Sequence, residues 1–474
     1  MKNDTFFDKK IHFIGIGGIG MAGIAKILAN QGCDISGSDI VSNEMTTYLR
    51  SIGITIYFNH HPSNIKNANI IVVSTAISDD NPEIIAAGKA GIPIMRRAEM
   101  LAELMRFRYG IAITGTHGKT TTTAMISSIF TEAGLSPTFI NGGLIKMLGG
   151  TNAQLGKSKY LIIEADESDA SFIKLRPIVA VVTNIDREHM DTYDGDIYNV
   201  KKAFLDFLHN LPFYGSAIMC LDNHLIYDLL PHIRRTVTTY GFNKNADVCI
   251  TNYHQHGIQA SFTLVRKQKS NMLVILNVPG YHNALNATAA IIVSMQQSIS
   301  DTIINNALRK FQGIKRRFDF LGEFYLQSLN KRAGTIFLLD DYGHHPTEIY
   351  ATIKTARATC ISKRIVMIFQ PHRYTRTRDL YHFFVNVLSQ VDILLLLEIN
   401  SAGEPPLAGI NSHALCHSIR KHSKIYTEVV EKKKIIQIIA QILTNKDLLI
   451  IQGAGNLEKI IFAIKSKLKP VEIV

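Results

Sequence analysis

Apolar runs of strand length alternate with amphipathic stretches along the chain, and this alternation restricts the possible folds more than any other feature. It starts at Ile11–Ile14, returns at YGIAIT (109–114) and persists to LLIIQ (448–452). Alternation of this kind is typical of repeated βα units, in which helices cover a parallel sheet. We therefore predict an α/β protein whose sheets are mostly parallel.

The strand–turn–helix pattern begins afresh at three places, which predicts three domains. The first start is at Ile11, the second is at Tyr109, and the third follows GIKRRFDFLGEF (313–324). The chain has 474 residues, and a single hydrophobic core stops growing at roughly 250–300 residues. We place the domains at 1–107, 108–318 and 319–474.

The composition narrows the class of partner. Hydrophobic residues make up 46% of the chain and charged residues 19%, so the chain is not intrinsically disordered. The net charge of +12 favours an anionic partner, which is a nucleic acid, a membrane or a small anionic substrate. We expect no nucleic acid, because basic and aromatic residues are not interleaved. We expect no membrane, because the most apolar run, Ile393–Leu397, is far too short to cross one.

Cysteine usage and the first residues predict a cytoplasmic protein. The five cysteines are scattered, odd in number and without a C-x-x-C pair, which argues against a disulfide framework and a zinc site. The start, MKNDTFFDKK, lacks the apolar stretch of a signal peptide. We therefore expect the chain to work in a reducing compartment.

A glycine-rich turn follows the first predicted strand. Gly15, Gly17 and Gly20 match G-x-G-x-x-G, and Asp39 follows about where a ribose-binding acid would stand. Glycines here let the backbone approach a diphosphate at a helix N-terminus. The motif leaves three interpretations open: a dinucleotide, a nucleotide-sugar, or a turn without a ligand.

A second turn, GTHGKT at 115–120, is more specific. It follows a predicted strand, precedes a helix and ends in the Gly-Lys-Thr of P-loops, although Ile113 stands where their first glycine belongs. In such loops the lysine reaches the terminal phosphates and the following hydroxyl holds Mg²⁺. The sequence therefore predicts a shortened P-loop that binds ATP, in preference to a purely structural turn.

Acidic residues follow the next predicted strands. Glu164 ends YLIIE, and Asp186, His189 and Asp191 lie in NIDREHMDTY after a further strand. Magnesium prefers oxygen ligands, so these segments are candidates for its site. Spacing alone does not identify the ligand, and His189 could equally be a helix cap or a surface residue.

Six segments together resemble the Mur ligases, and most closely their alanine-adding branch. They are, in chain order, GTHGKTTTT, EADESDASF, TNIDREHMDTY, PGYHNALNATAA, DDYGHHPTEI and FQPHRYTRTRDL. The resemblance extends over essentially the whole chain. It implies a Rossmann-like N-terminal domain for a UDP-sugar, a central P-loop ATPase-like domain and a Rossmann-like C-terminal domain for the amino acid.

The resemblance implies an activity in peptidoglycan precursor synthesis. An ATP- and Mg²⁺-dependent monomer or homodimer would join L-alanine to the carboxylate of UDP-N-acetylmuramate through an acyl phosphate. The alternative within the family attaches a recycled tripeptide to the same sugar nucleotide. Two alternatives from other classes are a nicotinamide dehydrogenase, based on the first glycine turn, and a nucleic-acid-binding ATPase, based on the positive charge.

The resemblance also implies roles for individual residues. The UDP-sugar site would comprise Gly15, Gly17, Gly18, Ile19, Gly20, Ser38, Asp39, His61, Ser74 and Thr75. ATP would be bound by Gly115, Thr116, His117, Gly118, Lys119, Thr120, Thr121, His282, Asn283 and Tyr342, and magnesium by Thr120, Glu164 and His189. Catalysis would depend on Lys119, His189, His344, His372, Arg373 and Arg376. Phe204 stands where sister ligases carry a carbamylated lysine, a departure that fits the alanine-adding branch.

Overall fold

A computed structural model describes residues 9–74, 76–106, 108–267, 269–330, 332–360 and 363–471. These residues form three sheets, of five, ten and seven strands. Most neighbouring strands in the sheets are parallel, as the alternating sequence pattern predicts. The fold is therefore the predicted α/β architecture.

The N-terminal sheet has the strand order β3-β2-β1-β4-β5, with every neighbouring pair parallel. Its strands are β1 (Lys10–Ile14), β2 (Asp34–Ser38), β3 (Thr55–Tyr57), β4 (Ile70–Val73) and β5 (Ile94–Arg96). Its helices are α1 (Ile19–Asn30), α2 (Glu44–Ser51), α3 (Pro82–Ala90) and α4 (Arg97–Met105). The strand order reverses between β1 and β4. In Rossmann-like sheets a ligand binds at the carboxyl ends of the strands beside such a reversal.

The central sheet has the strand order β15-β14-β13-β12-β11-β10-β6-β9-β7-β8. Its strands are β6 (Tyr109–Thr114), β7 (Thr138–Ile145), β8 (Thr151–Gln154), β9 (Tyr160–Glu164), β10 (Val179–Val182), β11 (Ser216–Cys220), β12 (Thr236–Gly241), β13 (Val248–His256), β14 (Gln259–Arg266) and β15 (Met272–Leu276). Its helices are α5 (Lys119–Glu132), α6 (Ile197–His209), α7 (His224–Leu229), α8 (Tyr281–Gln296) and α9 (Asp301–Lys310). β6 lies between β10 and β9 and is parallel to both, so the segments that follow these three strands meet at one edge of the sheet.

The C-terminal sheet has the strand order β20-β19-β18-β21-β17-β16-β22. Its strands are β16 (Asp319–Tyr325), β17 (Thr335–Asp341), β18 (Ile365–Phe369), β19 (Ile393–Leu396), β20 (Tyr426–Val429), β21 (Leu448–Gln452) and β22 (Lys469–Pro470). Its helices are α10 (Gln327–Asn330), α11 (Pro346–Thr359), α12 (Tyr374–Asp379), α13 (Tyr381–Leu388), α14 (Ser412–His422), α15 (Ile435–Ile442) and α16 (Glu458–Lys467). The strands from β17 to β21 are parallel, whereas β16 pairs antiparallel with both β17 and β22.

The apolar residues of β18 show why this sheet needs helices on both faces. Val366 and Ile368 belong to a core that includes residues of α15 and α16. Ile365, Met367 and Phe369 belong to a second core, which includes residues of α11, α13 and α14. Alternate side chains of a strand point to opposite faces, so an unbroken apolar run requires burial on both.

The chain divides into two compact units. The first reaches His254 and includes Ser261–Asn277 and His282–Gln312; the second comprises Gln255–Ala260, Val278–Tyr281 and the chain from Gly313 onward. The predicted boundaries near 107 and 318 stay predictions. Within the described ranges, none of the helices combines the length and the apolar character needed to cross a lipid bilayer. All five cysteines are buried as free thiols.

Candidate functional site

The loop between β6 and α5 has a backbone that only glycine adopts readily at two positions. Gly115 has φ 125° and Gly118 has φ 84°. A Cβ atom on Gly115 would collide with the hydroxyl of Thr183, and one on Gly118 would collide with the carboxamide of Asn286. No side chain caps the start of α5 at Gly118, so the first amides of the helix are suited to bind an anion.

Residues that follow β10 hold this loop in place through both side-chain and backbone groups. Asn184 accepts hydrogen bonds from the amide of Thr116 through its carbonyl oxygen (3.1 Å) and from the amide of His117 through Oδ1 (2.8 Å). Thr183 Oγ1 donates to the carbonyl of His117 (2.6 Å), and the amide of Asp186 donates to Thr116 Oγ1 (2.9 Å). The sequence analysis did not single out Thr183 or Asn184. Both residues directly follow β10, the strand beside β6, and this position could have indicated that they contact the loop after β6.

Lys119 is turned back into its own loop. Its Nζ donates to the carbonyls of Gly115 (2.7 Å) and Thr116 (3.2 Å) and lies 2.7 Å from Oε2 of Glu167. Burial opposes the charge, but Glu167 and Asp166 raise the pKa of Lys119, so the ammonium is charged at neutral pH. Burial raises the pKa of Glu167 to about 7, in spite of the neighbouring ammonium.

Two of the three predicted metal ligands are in contact. Thr120 Oγ1 donates to Oε1 of Glu164 (3.0 Å), and the amide of Gly142 donates to Oε2 of the same carboxylate (2.7 Å). His189 lies on the segment that follows β10, in left-handed backbone with φ 53°. Hydroxyl and carboxylate oxygens are hard donors, so Thr120 and Glu164 fit a magnesium ion.

The position that corresponds to the lysine of the sister ligases is part of the core. Phe204 is fully buried, and its ring lies 5.2 Å from that of Phe172. Lys201 is paired with Asp228 at 2.7 Å. The described structure therefore places an aromatic core residue, and no metal-supporting lysine, at residue 204.

The predicted adenine-binding residues lie in the first turn of α8. Asn283 is buried and accepts a hydrogen bond from Asn286 Nδ2 (3.3 Å), while His282 is partly exposed. Asn286 also accepts from Thr122 Oγ1 of α5 (3.3 Å). Asn286 thus links the start of α8 to the P-loop helix, in whose first turn Thr121 also lies.

The loop after β1 is closed by residues that follow β2. Gly15 has φ 78°, and a Cβ atom on it would lie 3.1 Å from Cβ of Ser74 at the end of β4. The amide of Gly17 donates to Oδ2 of Asp39 (2.8 Å), and Asn43 Nδ2 donates to the carbonyl of Gly17 (3.1 Å). Asp39 therefore shapes the loop as well as standing where a ribose-binding acid was predicted.

Arg97 of α4 lies between the start of α1 and the acidic segment that follows β9. α1 begins at Ile19 with Gly18 as an uncapped N-terminal residue, and a Cβ atom on Gly20 would lie 3.4 Å from Nη1 of Arg97. The other guanidinium nitrogen, Nη2, lies 3.5 Å from Oδ2 of Asp166 in the acidic segment after β9. The sequence analysis did not select Arg97, because nothing in its local sequence shows this position.

The remaining predicted residues of the UDP-sugar site differ in their surroundings. Ser38 is fully buried and donates to the carboxylate of Glu83 (2.5 Å). The exposed His61 caps the 3₁₀ turn Pro62–Ile65, where its Nδ1 accepts from the amide of Ser63 (3.2 Å). Thr75 lies outside the described residues.

In the second unit, aromatic rings follow the ends of β17 and β18. The ring of His344 lies 5.5 Å from that of Tyr342 and 5.7 Å from that of His372. The guanidinium groups of Arg316 and Arg317 each lie 5.1 Å from the centre of the Tyr342 ring. The rings of Tyr342 and His344 meet edge to face, at an interplanar angle of 89°. Aromatic rings and cations grouped in this way suit a flat or anionic ligand group.

Two arginines surround the imidazole of His372. Arg376 Nη1 lies 3.3 Å from Nδ1 of His372 and donates to its carbonyl (3.1 Å). Arg373 has the unusual φ of 71°, and its Nε lies 3.7 Å from a carboxylate oxygen of Glu404. Burial, His344 and the two arginines lower the pKa of His372 to about 4, so this ring is neutral at pH 7.

Three family models match consecutive parts of the chain. The Mur ligase family catalytic domain matches residues 10–109, the Mur ligase middle domain residues 113–294, and the Mur ligase glutamate ligase domain residues 326–455. Together they span most of the chain, and each match contains one of the three sheets or most of it. The three-domain organisation expected from the sequence is that of this family.

Solved structures of Mur ligases resemble most or nearly all of the chain. UDP-N-acetylmuramate–alanine ligase MurC from Thermotoga maritima is 27% identical over 97% of this chain and 99% of its own, with a TM-score of 0.81. The murein peptide ligase of Psychrobacter arcticus 273-4 is 24% identical over 98% and 100%, with a TM-score of 0.73. UDP-N-acetylmuramate:L-alanyl-γ-D-glutamyl-meso-diaminopimelate ligase from Neisseria meningitides is 26% identical over 65% and 100%, with a TM-score of 0.60.

Mur ligases are ATP-dependent enzymes that form amide bonds on UDP-sugar precursors of peptidoglycan. The uncapped glycine loop with its lysine, the adjacent hydroxyl and carboxylate, and the Rossmann-like first sheet are the parts that such an enzyme requires. The three family models match most of this chain, and the alanine ligase of T. maritima resembles 97% of it. This chain belongs to the Mur ligase family.

Proposed function

We propose that this ligase joins L-alanine to the carboxylate of UDP-N-acetylmuramate and converts ATP to ADP and phosphate. The observation that carries the proposal is the likeness to the alanine ligase of T. maritima, which extends over 97% of the chain with a TM-score of 0.81. The segments EADESDASF and FQPHRYTRTRDL, which resemble the alanine-adding branch, support it. We assign residues 1–107 to the UDP-sugar, 108–318 to ATP and 319–474 to the amino acid.

The reaction proceeds in two steps. The carboxylate oxygen of the sugar attacks the γ-phosphorus, and the bond from this phosphorus to the β-phosphate oxygen breaks. ADP is released, and the sugar carboxylate is now an acyl phosphate. The neutral amine of alanine then attacks the acyl carbon, the amine proton is lost to a base, and inorganic phosphate leaves with the C–O bond pair. Both steps spread negative charge, so positioning and charge neutralisation account for most of the rate.

The P-loop supplies that neutralisation in the first step. The amides at the start of α5 bind the phosphates. The ammonium of Lys119 stabilises the negative charge that develops on the leaving oxygen. Thr120, Glu164 and His189 would hold Mg²⁺, which supplies further positive charge to the phosphate oxygens. His282 and Asn283 bind the adenine at the start of α8.

The second unit supplies the groups for the amino acid. Arg373 and Arg376 are suited to the carboxylate of alanine, because a guanidinium binds a carboxylate through two parallel hydrogen bonds. His372 is neutral at pH 7, and because the guanidinium of Arg376 can only donate to Nδ1, Nε2 carries the ring proton and can donate a hydrogen bond to the substrate. We assign Tyr342 and His344, whose rings meet edge to face at 5.5 Å, to the nucleotide.

A second candidate function is the attachment of the tripeptide L-alanyl-γ-D-glutamyl-meso-diaminopimelate to the same sugar. The two murein peptide ligases that resemble this chain, at 24% and 26% identity, favour it. Both reactions use the same donor and the same acyl phosphate, so the difference lies only in the amine. The chemistry of the P-loop cannot separate the two functions.

Phosphate release from the purified protein tests the proposal. The assay contains ATP, Mg²⁺ and UDP-N-acetylmuramate, with L-alanine in one arm and the tripeptide in the other. We expect release that depends on L-alanine and yields a product heavier by one alanyl residue. Release that depends only on the tripeptide would replace the proposal with the second candidate. Lys119→Ala protein is the matched control for contaminating ATPases.

A further inference from the structure

Helix α1, which follows the first glycine loop, packs on two strands of the central sheet. β8 is the edge strand of that sheet, and β7 lies between β8 and β9. α1 contacts both β7 and β8, and all three elements belong to the first compact unit. The contacts are made by Ile19, Gly23 and Lys26. Residues with this spacing lie on one face of a helix, so α1 presents one side to the β7–β8 hairpin.

Gly23 is the point of closest approach between α1 and the hairpin. It is buried, and a Cβ atom on it would lie 3.1 Å from Cγ2 of Ile140 in β7 and 3.2 Å from Cβ of Ala153 in β8. The residue lies within the helix, where alanine would be more stable than glycine if there were room for its methyl group. The glycine therefore serves close packing of the helix on the hairpin.

Hydrogen bonds fix the helix on either side of this glycine. Nδ2 of Asn152, a side chain that is 5% exposed, donates to the carbonyl of Ile19 (2.9 Å). Nζ of Lys26 donates to Oγ1 of Thr151 (2.9 Å). Ile19 is the first residue of α1, and the amides of this turn are suited to bind a diphosphate. Asn152 therefore holds the anion-binding end of α1 from the central sheet.

The same hairpin also contacts the candidate magnesium site. Ile140, which packs against α1, lies in β7 two residues before Gly142. The amide of Gly142 donates to Oε2 of Glu164 (2.7 Å), and Oε1 of this carboxylate accepts from Thr120 at the start of α5 (3.0 Å). A continuous series of contacts therefore connects the first turn of α1 with the first turn of α5.

We propose that Gly23 and Asn152 are positioning residues, which fix the diphosphate of the UDP-sugar on α1 at the correct distance from the γ-phosphate on the P-loop. The inference rests on the proposed function, in which the sugar carboxylate attacks the γ-phosphorus. Reacting atoms must approach to roughly 3–3.5 Å, and a misplacement of about 1 Å lowers a rate by about 100-fold. The two residues act through α1 and the hairpin, and neither touches a substrate.

Steady-state phosphate release by the full chain tests the inference, with the amine that the wild-type protein uses. In Gly23→Ala the new methyl group forces α1 and the hairpin apart by a few tenths of an ångström. We expect kcat to fall about tenfold, because the carboxylate is misplaced from the phosphorus. Calorimetric affinities for UDP and for ADP should stay unchanged, since each nucleotide lies on only one of the two loops. Gly88→Ala in α3 is the matched control, because a Cβ atom there would meet nothing within 4 Å, and its kcat should equal that of the wild-type protein.

Asn152→Leu tests the same contact even if Gly23→Ala does not fold. Leucine has a similar size but cannot donate to the carbonyl of Ile19, so we again expect a kcat about tenfold lower with unchanged UDP and ADP affinities. The double variant should lose less than the product of the two single losses, because both changes act on one interface.

Two results would overturn the inference. One is an unchanged kcat in the folded variants, and the other is a loss of kcat that is matched by weaker binding of UDP or ADP. Both results require a wild-type protein that turns over. If the wild-type protein releases phosphate with neither L-alanine nor the tripeptide, the proposed function fails and the inference fails with it, so the two failures are distinguishable.

Discussion

The partly buried imidazole of His372 should make the protein less stable as the pH falls. Its pKa is lowered from 6.5 to about 4 by burial, His344 and the arginines. An unfolded chain takes up the proton near pH 6.5, whereas the folded protein does so only near pH 4. The stabilisation is therefore complete above pH 6.5 and is lost between these two values. The linkage relation gives a loss of about 2 kcal/mol between pH 7 and pH 5.

Urea unfolding at pH 7 and pH 5, followed by circular dichroism, measures this loss. The other histidines also contribute, so the comparison is between the wild-type protein and His372→Gln, which keeps a polar side chain but does not titrate. We expect the free energy of unfolding to fall by about 2 kcal/mol more in the wild-type protein than in the variant. Parallel pH profiles for the two proteins, or an NMR titration midpoint of this ring near pH 6.5, would refute the reasoning.

Three further predictions concern the P-loop. Lys119→Ala should lower turnover at least ~100-fold, the effect of one lost electrostatic contact in a transition state, and near-normal turnover in steady-state kinetics would remove its assigned role. Glu164→Ala should raise the Mg²⁺ concentration needed for half-maximal activity, and an unchanged magnesium titration would contradict the assignment. Gly118→Ala should abolish ATP binding in calorimetry, because φ is 84° and the new methyl group would meet Asn286; wild-type affinity would show that the loop adapts.

The local parts of the fold and the site were predictable from the sequence. Strand and helix periodicity, glycines at positive φ and a lysine at a helix start are local properties, so the pattern around 115–120 identified the P-loop. The sequence also placed Glu164 at the end of a strand, and the structure adds its contact with Thr120, because β6 and β9 are parallel neighbours and their ends meet. The resemblance to the Mur ligases added the roles of residues whose local sequence carries no signal.

The tertiary partners of the site were not predictable from the sequence. Asn184 and Asn286 hold the P-loop from 67 and 164 residues away along the chain, and each is an ordinary polar residue in its own segment. The contact between His60 and the buried carboxylate of Glu83 likewise joins two distant segments, and it depends on the packing of α3. Such contacts arise from the assembly of distant segments, so local patterns do not contain them.

The position of Lys119 changes what an affinity for ATP means in this protein. Its ammonium already has three oxygen acceptors within the protein, two carbonyls and Glu167. Phosphate binding is therefore an exchange of one set of acceptors for another, and the measured affinity is the difference between two strong interactions. The phosphates compete with the carboxyl group of Glu167 for the same ammonium. Each phosphate should then add less binding affinity than it would with a lysine whose ammonium was bound only to water beforehand.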